Sequence, residues 1–275
     1  MKKKLRPGKI IVFVLLCLGA ITMIFPFIWM ILSSLKGQME LLQMPPTFWP
    51  KRFRWENYQK VMEAIPFAKY FANSIVTALL NTFAGIMTSA LAGYVFAKYK
   101  FKFKELIFWI MIACMMIPYD TLIIPLYKTM VRLQWTNTYL VLTIPFFVNI
   151  FGLFMMRQFM ESIPNDYIEA AEIDGCGQYK TFFKVIFPMV KPAVAALFIF
   201  IFMGSYNSFL WPLINVNSRD LFTLPIGMAS LTTDKKSEFE LLMAASTMAV
   251  VPIFGVFCVA QKHFVAGLTM GGVKG

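Results

Sequence analysis

The chain has 275 residues, of which 59% are hydrophobic and 15% are charged, and this composition excludes an ordinary soluble globular domain. The formal net charge of +12 could indicate a nucleic-acid-binding protein. Its lysines and arginines, however, form short clusters between apolar segments, without the basic stripe and interleaved aromatic residues of a nucleic-acid interface. In a membrane protein the same charges set the orientation of the spans.

The first apolar segment predicts a retained transmembrane helix. Residues 10–32 are long enough to cross a hydrocarbon core of about 30 Å. No small-x-small cleavage site follows them, so a cleaved signal peptide is not indicated. The basic residues before the segment favour a cytoplasmic N-terminus: Lys2, Lys3, Lys4, Arg6 and Lys9.

Five further spans follow in the predicted topology. A polar and aromatic segment, residues 33–69, is expected outside, with a short helix over 55–64. The second span ends at a basic turn containing Lys98, Lys100, Lys102 and Lys104, which predicts a cytoplasmic turn. Trp29, Trp135 and Trp211 fall near external span ends and Trp109 near an internal one, as in an aromatic belt or in core packing. The predicted spans are residues 70–97, 106–127 (with Pro118 and Pro125 in its outer part), 138–156, 193–213 and 242–260.

Residues 162–192 form the longest polar interruption in the second half of the chain. Asp166 and Glu169 have the spacing of a capping box at the start of a helix. Ala170 and Ala171 have almost no side chain, so this helix is expected to approach another protein closely. Gly175 is suited to the left-handed conformation that ends a helix. A second helix over 179–187 is expected to stop near Pro188 and Pro192.

This segment resembles the EAA loop of the membrane subunits of bacterial ABC importers. The family pattern is EAA, three residues, G, nine residues, and I-x-L-P. Glu169-Ala170-Ala171, Gly175 and Val185-Ile186-Phe187-Pro188 keep every spacing, with Val185 for the isoleucine and Phe187 for the leucine. A plain surface hairpin is the alternative interpretation.

Other segments extend the resemblance to carbohydrate-type permeases, in particular to the shorter, six-span subunit of maltose-type importers. They are Asn73-Ser74-Ile75, residues 92–97, residues 206–212 and the ending 264–275. The chain departs from the family at Tyr206-Asn207-Ser208, where Trp-Asn-Asp/Glu is usual, and at Gly271-Gly272, where Gly-Ala is usual. The first departure leaves the substrate contacts open.

The resemblance implies an all-α membrane protein with six transmembrane helices, the type I ABC importer permease fold and a cytoplasmic EAA loop. It implies a second homologous permease subunit, a cytoplasmic ATPase dimer, an external solute-binding protein and a carbohydrate substrate as partners. The expected location is the bacterial inner (plasma) membrane, with both termini cytoplasmic. The expected regions are 1–69 (tail, first span and external loop), 70–263 (transmembrane type-1 domain containing the loop) and 264–275 (cytoplasmic tail).

The resemblance also assigns roles to individual residues. Those expected to couple to the ATPase are Glu169, Ala170, Ala171, Asp174, Gly175 and Pro188. Polar residues at span depth that could line a sugar path, or form hydrogen bonds between helices, are Asn81, Tyr119, Ser205, Tyr206 and Asn207. Tail contacts are expected from Gly271, Gly272 and Lys274.

No catalytic, metal or cofactor site is predicted, so the chain is not expected to be an enzyme. It has no phosphate-binding loop of the Walker type, and its only histidine, His263, has no companions at ligand spacing. A secondary carrier is disfavoured because no acidic or basic residue is expected to be buried between the span ends. Within the family class, a permease for glycerol phosphate, polyamines or peptides remains the alternative.

Overall fold

The computed structural model describes residues 7–233 and 236–271, and almost all regular structure in them is helical. Fifteen α-helices occur in these residues. They are α1 (Pro7–Ser34), α2 (Gln38–Leu41), α3 (Glu56–Ala64), α4 (Phe67–Lys98), α5 (Lys104–Cys114), α6 (Tyr119–Arg132), α7 (Tyr139–Thr143), α8 (Ile150–Glu161), α9 (Asp166–Ile173), α10 (Gln178–Thr181), α11 (Phe187–Met189), α12 (Lys191–Tyr206), α13 (Leu210–Asn215), α14 (Leu224–Ala229) and α15 (Phe239–Gly271).

The remaining elements are short. Ile144–Phe146 and Arg219–Leu221 form 3-10 turns, and Phe182–Ile186 forms a π-helical segment. A two-residue strand β1 (Thr232–Thr233) pairs antiparallel with β2 (Lys236–Ser237), with Thr232 opposite Ser237.

Among the described residues, four helical segments are long and apolar enough to cross a membrane. They are Ile11–Ser34, Phe67–Lys98, Tyr139–Glu161 and Phe239–Val259. Two bent pairs also qualify when each pair is taken as one span, which gives the six spans expected from the sequence.

The first bent pair corrects the prediction of a third span that runs through its prolines. α5 ends at Cys114, α6 begins at Tyr119 after Pro118, and the two helices meet at 97°. The proline ring cannot continue a helix from the preceding turn, so the span breaks where the sequence predicted only a proline inside it. The second bend, of 80°, lies between the Gln178–Met189 segment and α12, near the predicted helix stop at Pro188 and Pro192. The predicted fifth span, residues 193–213, is itself interrupted, because α12 ends at Tyr206 and α13 begins at Leu210.

The chain divides into two compact units. One contains the described residues up to Ala68 together with Gly227–Val251; the other contains Lys69–Ile226 and the described residues from Pro252 onward.

In the first unit, the segment after α1 folds back onto the end of that helix. Asn57 is buried and donates to the carbonyl oxygens of Ser34 and Lys36, both at 2.8 Å. The hydroxyls of Ser34 and Tyr58 lie 2.7 Å apart. Burial lowers the pKa of the Lys36 ammonium group, and the nearby Glu40 carboxylate partly offsets this effect.

The candidate coupling elbow and the candidate substrate cavity

The helix that carries the EAA residues, α9, begins without the predicted capping box. Asn165 precedes the helix in right-handed helical conformation and makes no side-chain cap, and Asp166 is already the first helical residue. A capping side chain needs an extended backbone, which Asn165 does not have. Its side-chain oxygen instead accepts a hydrogen bond from Lys98 Nζ at 3.1 Å, so a tertiary contact replaces the local cap.

The end of α9 agrees with the prediction at Gly175. This glycine has φ +75°, in the left-handed region. Its N–H donates to the Glu172 carbonyl at 3.0 Å, and the N–H of Cys176 donates to the Ala171 carbonyl at 2.8 Å. These two bonds define a Schellman motif, which turns the chain sharply while satisfying the last carbonyls of the helix.

The two alanines of the motif point to different sides of α9. Ala171 is buried, and Ile168, three residues earlier on the same face, packs on the hydrophobic core. Ala170, Glu169 and Asp174 are exposed. The expectation that both alanines lie on a docking face is therefore wrong for Ala171, which packs against its own chain.

We call residues 162–192 the elbow. Its exposed side also presents large apolar side chains. Ile173 is 86% exposed and Tyr179 is 82% exposed. A cluster of exposed apolar and acidic residues on one polar loop is typical of a protein-binding surface.

The second half of the elbow is less regular than predicted. α10 passes into the π-helical segment Phe182–Ile186, and α11 carries Pro188 at its start. Both Phe182 and Ile186 are buried. Short π segments inside helices are frequently found at functional sites.

One hydrophobic core joins the elbow to the spans. From the elbow it includes Ile163, Phe182, Ile186 and Val190. The spans contribute side chains of α4, α8 and α12, namely Ile86, Ala90, Tyr94, Met156, Met160, Ala193, Leu197 and Ile201. The elbow is therefore packed onto three membrane helices rather than hinged freely from them.

Polar contacts add to this attachment. Lys98, at the end of α4, donates to the carbonyl oxygen of Ile163 as well as to Asn165. Five residues before Lys98, α4 approaches α8 so closely that a Cβ at Gly93 would lie 2.7 Å from Met156 Cβ. Only glycine allows this approach at that position.

An ion cluster around the buried side chain of Arg157 lies where α8 reaches the elbow. Arg157 Nη2 donates to Glu105 Oε1 at 2.9 Å, and Arg157 Nε donates to Glu161 Oε1 at 2.7 Å. The guanidinium carbon lies 3.9 Å from the ring centre of Phe108. The sequence-based expectation of spans without buried charge is wrong here, because Arg157 belongs to the span Tyr139–Glu161 and is buried.

A cavity of about 530 Å³ lies among the membrane helices of the second unit. Three aromatic rings on its wall form a connected group: Tyr119 and Phe146 each lie within 6.4 Å of Trp211, centroid to centroid. Trp211 is buried and donates its indole N–H to the Val141 carbonyl at 2.8 Å. It is thus part of the cavity wall and core, so of the two predicted positions, an aromatic belt or core packing, the structure has core packing.

The polar groups on the wall are neutral. None of the described residues that line the cavity is acidic, basic or histidine. Asn81 donates to Ser205 Oγ at 2.9 Å and to the Leu142 carbonyl at 3.0 Å, but its Oδ1 has no hydrogen-bond partner in the described structure. Thr223 Oγ1 is also buried and also has no hydrogen-bond partner in the described structure.

Three of the five residues proposed for a sugar path line this cavity, namely Asn81, Tyr119 and Ser205. The other two do not. Tyr206 is buried and stacks on Phe202, and Asn207 is exposed just beyond the end of α12.

Sequence reasoning missed several wall residues, among them Thr77, Phe146 and Thr223. Isolated aromatic or hydroxyl-bearing residues in or between apolar spans have no distinguishing pattern, so no sequence signal separates cavity-lining residues from helix-packing residues. Of the predicted tail contacts, Gly271 ends α15, whereas Gly272 and Lys274 lie outside the described residues.

Several membrane-spanning helices, an elbow packed onto them and a cavity among them define a polytopic membrane permease. A family model described as the inner membrane component of binding-protein-dependent transport systems matches residues 85–269. The chain belongs to this family, whose members are membrane components of transport systems, and is a multi-pass membrane protein.

Individual relatives extend over almost the whole chain. An arabinooligosaccharides transport system permease protein of Halalkalibacterium halodurans is 37% identical over 92% of this chain and 91% of its own length. An sn-glycerol-3-phosphate transport system permease protein of Pectobacterium atrosepticum is 31% identical, over 93% of this chain and 94% of its own.

A solved structure supports the fold. The crystal structure of a bacterial ABC transporter involved in the import of the acidic polysaccharide alginate contains a chain that matches with a TM-score of 0.81. The match covers 96% of this chain and 99% of the other, at 22% identity. The fold is that of a type I ABC importer permease.

Proposed function

We propose that this chain is the membrane-spanning permease subunit of an ABC importer for a neutral sugar or oligosaccharide. The observation that carries the proposal is the cavity, whose wall combines aromatic rings with uncharged hydrogen-bonding groups. The 37% identical relative, named for arabinooligosaccharide transport, supports the same substrate class.

The wall chemistry fits a polyhydroxylated solute. Wall residues with hydroxyl or amide groups, among them Asn81 and Thr223, can exchange hydrogen bonds with the hydroxyl groups of a sugar. Aromatic faces carry partial negative charge and suit the C–H faces of a sugar ring.

A glycerol phosphate is the second candidate, since one relative is named for its transport. Its phosphate would enter the cavity with two negative charges and no cation among the described wall residues, which costs far more than burying a hydroxyl group.

Uptake measurements on Thr223→Val test the role of the cavity. The substitution removes one hydroxyl group at nearly constant volume. If the hydroxyl contacts the sugar, the KM for uptake should rise by roughly two- to tenfold, corresponding to about 0.5–1.5 kcal/mol. Thr143→Val is the control, because Thr143 is buried but its hydroxyl is bonded to the Tyr139 carbonyl and it does not line the cavity.

The substrate class is tested in the same membranes with arabinooligosaccharides and glycerol 3-phosphate as alternative labelled solutes. Uptake of glycerol 3-phosphate alone would refute the sugar assignment. An unchanged KM in Thr223→Val would refute contact between the Thr223 hydroxyl group and the sugar.

The elbow is proposed to couple the permease to an ATPase. Its exposed surface, with Glu169, Ala170, Asp174, Ile173 and Tyr179, combines carboxylates that can pair with arginine and apolar side chains without cover in the described structure. Ala171, Gly175 and Pro188 are proposed to maintain the shape of this surface rather than to contact the ATPase.

Ala170→Trp tests the coupling role. The added bulk stands on the exposed face of α9, so membrane insertion and abundance should stay normal while co-purification of the ATPase and uptake are lost. Lys102→Trp is the control, with the same bulk on an exposed turn of the chain. Normal uptake by a stably inserted Ala170→Trp protein would refute the proposal.

The assembly proposed for this subunit follows the family resemblance. A second homologous permease completes the pathway, a dimeric ATPase binds at the cytoplasmic side, and an external binding protein delivers the sugar. Both termini are proposed to be cytoplasmic, with residues 70–263 as the transporting domain and Gly271, Gly272 and Lys274 in a cytoplasmic tail.

A further inference from the structure

The segment between α2 and α3 contains an apolar turn with no charged residue. Residues 44–50 read Met-Pro-Pro-Thr-Phe-Trp-Pro, and we call them the proline–aromatic turn. Met44 is 88% exposed and Trp49 is 65% exposed, although both are large apolar side chains. Exposing these side chains to water is unfavourable, which indicates that something other than water covers the turn.

The turn is folded back along α1. Phe48 stacks on Phe25 at 6.1 Å and lies 6.0 Å from Trp29, and Phe25 and Trp29 stack on each other at 6.3 Å. Trp49 meets Phe48 edge-on at 5.7 Å. The four rings form one continuous aromatic surface on the side of the membrane helix.

Polar residues hold the turn in this position. Lys36, buried just past the end of α1, donates to the Thr47 carbonyl and lies 4.7 Å from the ring centre of Trp29. Glu40 accepts from Thr47 Oγ1 at 3.1 Å and from the Lys51 N–H at 2.8 Å. The middle of the turn and the residue that follows it are therefore tied to the segment that follows α1.

The depth of the contact can be worked out from helix geometry. Trp29 and Phe25 lie five and nine residues before Ser34, the last residue of α1, which corresponds to about 8 and 14 Å at 1.5 Å per residue. α1 is about 42 Å long, so about 6 Å extends beyond each side of a centred 30 Å hydrocarbon core. Phe48 then lies about 2 to 8 Å inside the hydrocarbon boundary, near the depth at which interfacial aromatic residues are buried.

We propose that the proline–aromatic turn inserts into the lipid bilayer, in the leaflet at the C-terminal end of α1, as a membrane-interface anchor. The most apolar stretch of α1 has no residue buried within the protein, so the surface of the turn continues the lipid-facing surface of that helix. Lys51, Arg52 and Arg54 follow the turn and are exposed, and they suit the phosphate groups of phospholipid headgroups above it.

Site-directed fluorescence measures where the turn lies. In a background lacking the four native cysteines, Met44→Cys carries an environment-sensitive nitrobenzoxadiazole label. The control is Lys60→Cys, at an exposed charged position on α3. Each complete chain, assembled with its partner permease and ATPase, is placed in vesicles of phosphatidylethanolamine and phosphatidylglycerol that contain doxyl-labelled lipid.

The label at position 44 should be quenched several-fold more by doxyl lipid than by aqueous iodide, and the label at position 60 should show the reverse. Equal iodide quenching at both positions would place the turn in water and overturn the proposal. Shielding of position 44 from both quenchers would show that a protein subunit covers the turn, and would also overturn it.

Discussion

Arg157 offers a test of which partner determines the energy of an ion cluster in which only the arginine is buried. The arginine side chain is 9% exposed, whereas the side chains of Glu105 and Glu161 are 59% and 37% exposed. Replacing Arg157 by Met leaves two carboxylates that water can solvate. Replacing both carboxylates by Gln leaves a buried guanidinium group without an anionic partner.

These exposures determine how much each replacement should lower the free energy of unfolding. Arg157→Met removes charge-assisted hydrogen bonds to solvated carboxylates and one cation–π contact with Phe108. Because solvent screens these interactions, we expect the free energy of unfolding to fall by only about 1–2 kcal/mol. The double replacement Glu105→Gln/Glu161→Gln should cost more, about 3–5 kcal/mol, because breaking a buried pair from the exposed side strands the buried charge.

The free energy of unfolding in detergent micelles, measured for both variants and for the triple variant, provides the assay. Adding Arg157→Met to the double variant should restore part of its stability. Asp220→Asn serves as the control, because its partner Lys69 and Asp220 itself are both well exposed, and such pairs contribute only about 0–1 kcal/mol. A double variant no less stable than Arg157→Met would refute the reasoning.

Three further outcomes follow from backbone geometry and charge. Gly175→Val should abolish uptake at normal membrane abundance, because the left-handed conformation at φ +75° costs a residue with a Cβ about 1–2 kcal/mol. Gly175→Asn should retain uptake, because asparagine tolerates this conformation. Gly93→Ala should lower the free energy of unfolding by about 1–3 kcal/mol by overpacking against α8, and Gly204→Ala, where an added Cβ meets nothing within 4 Å, should not. A reporter fused after Ile173 should report a cytoplasmic location and one after Trp49 an external location; reversed signals would contradict the proposed orientation.

Local features of the elbow were predictable where the backbone alone decides them. Gly175 ends α9 because a left-handed residue is needed there, and its spacing to Glu169 is visible in the sequence. The helix over 55–64 was also predicted, and the structure has it as Glu56–Ala64. Such signals depend on neighbours in the chain, which the sequence shows directly.

Features that depend on tertiary contacts were not predictable in this way. Asn165 binds Lys98, which lies 67 residues earlier, and so does not cap α9. Ala170 and Ala171 are identical residues, and the one that is buried, Ala171, lies on the helix face whose Ile168 packs on the core. No charged residue was expected to be buried within a span, but Glu105, from a different helix, allows the burial of Arg157.

Among the described residues, one side chain belongs both to the core of the elbow and to the cavity wall, and this connection can be tested. Ile201 of α12 belongs both to the core that holds the elbow and to the cavity wall. It also lies against α4, where a Cβ at Gly85 would come within 2.9 Å of Ile201 Cδ1. Because close-packed interiors transmit displacement rather than absorb it, movement of the elbow in the proposed coupling must displace this wall.

Ile201→Ala should therefore uncouple the two sites by leaving a void between them. We expect ATPase co-purification to remain, because the elbow surface is unchanged, while uptake falls. Leu153→Ala is the matched control: Leu153 is similarly buried but belongs to a separate core with Phe96 and Phe108, so the two variants should lose similar stability, about 2–5 kcal/mol. If both variants reach the membrane in equal amounts and transport equally well, the packed path through Ile201 does not carry the coupling.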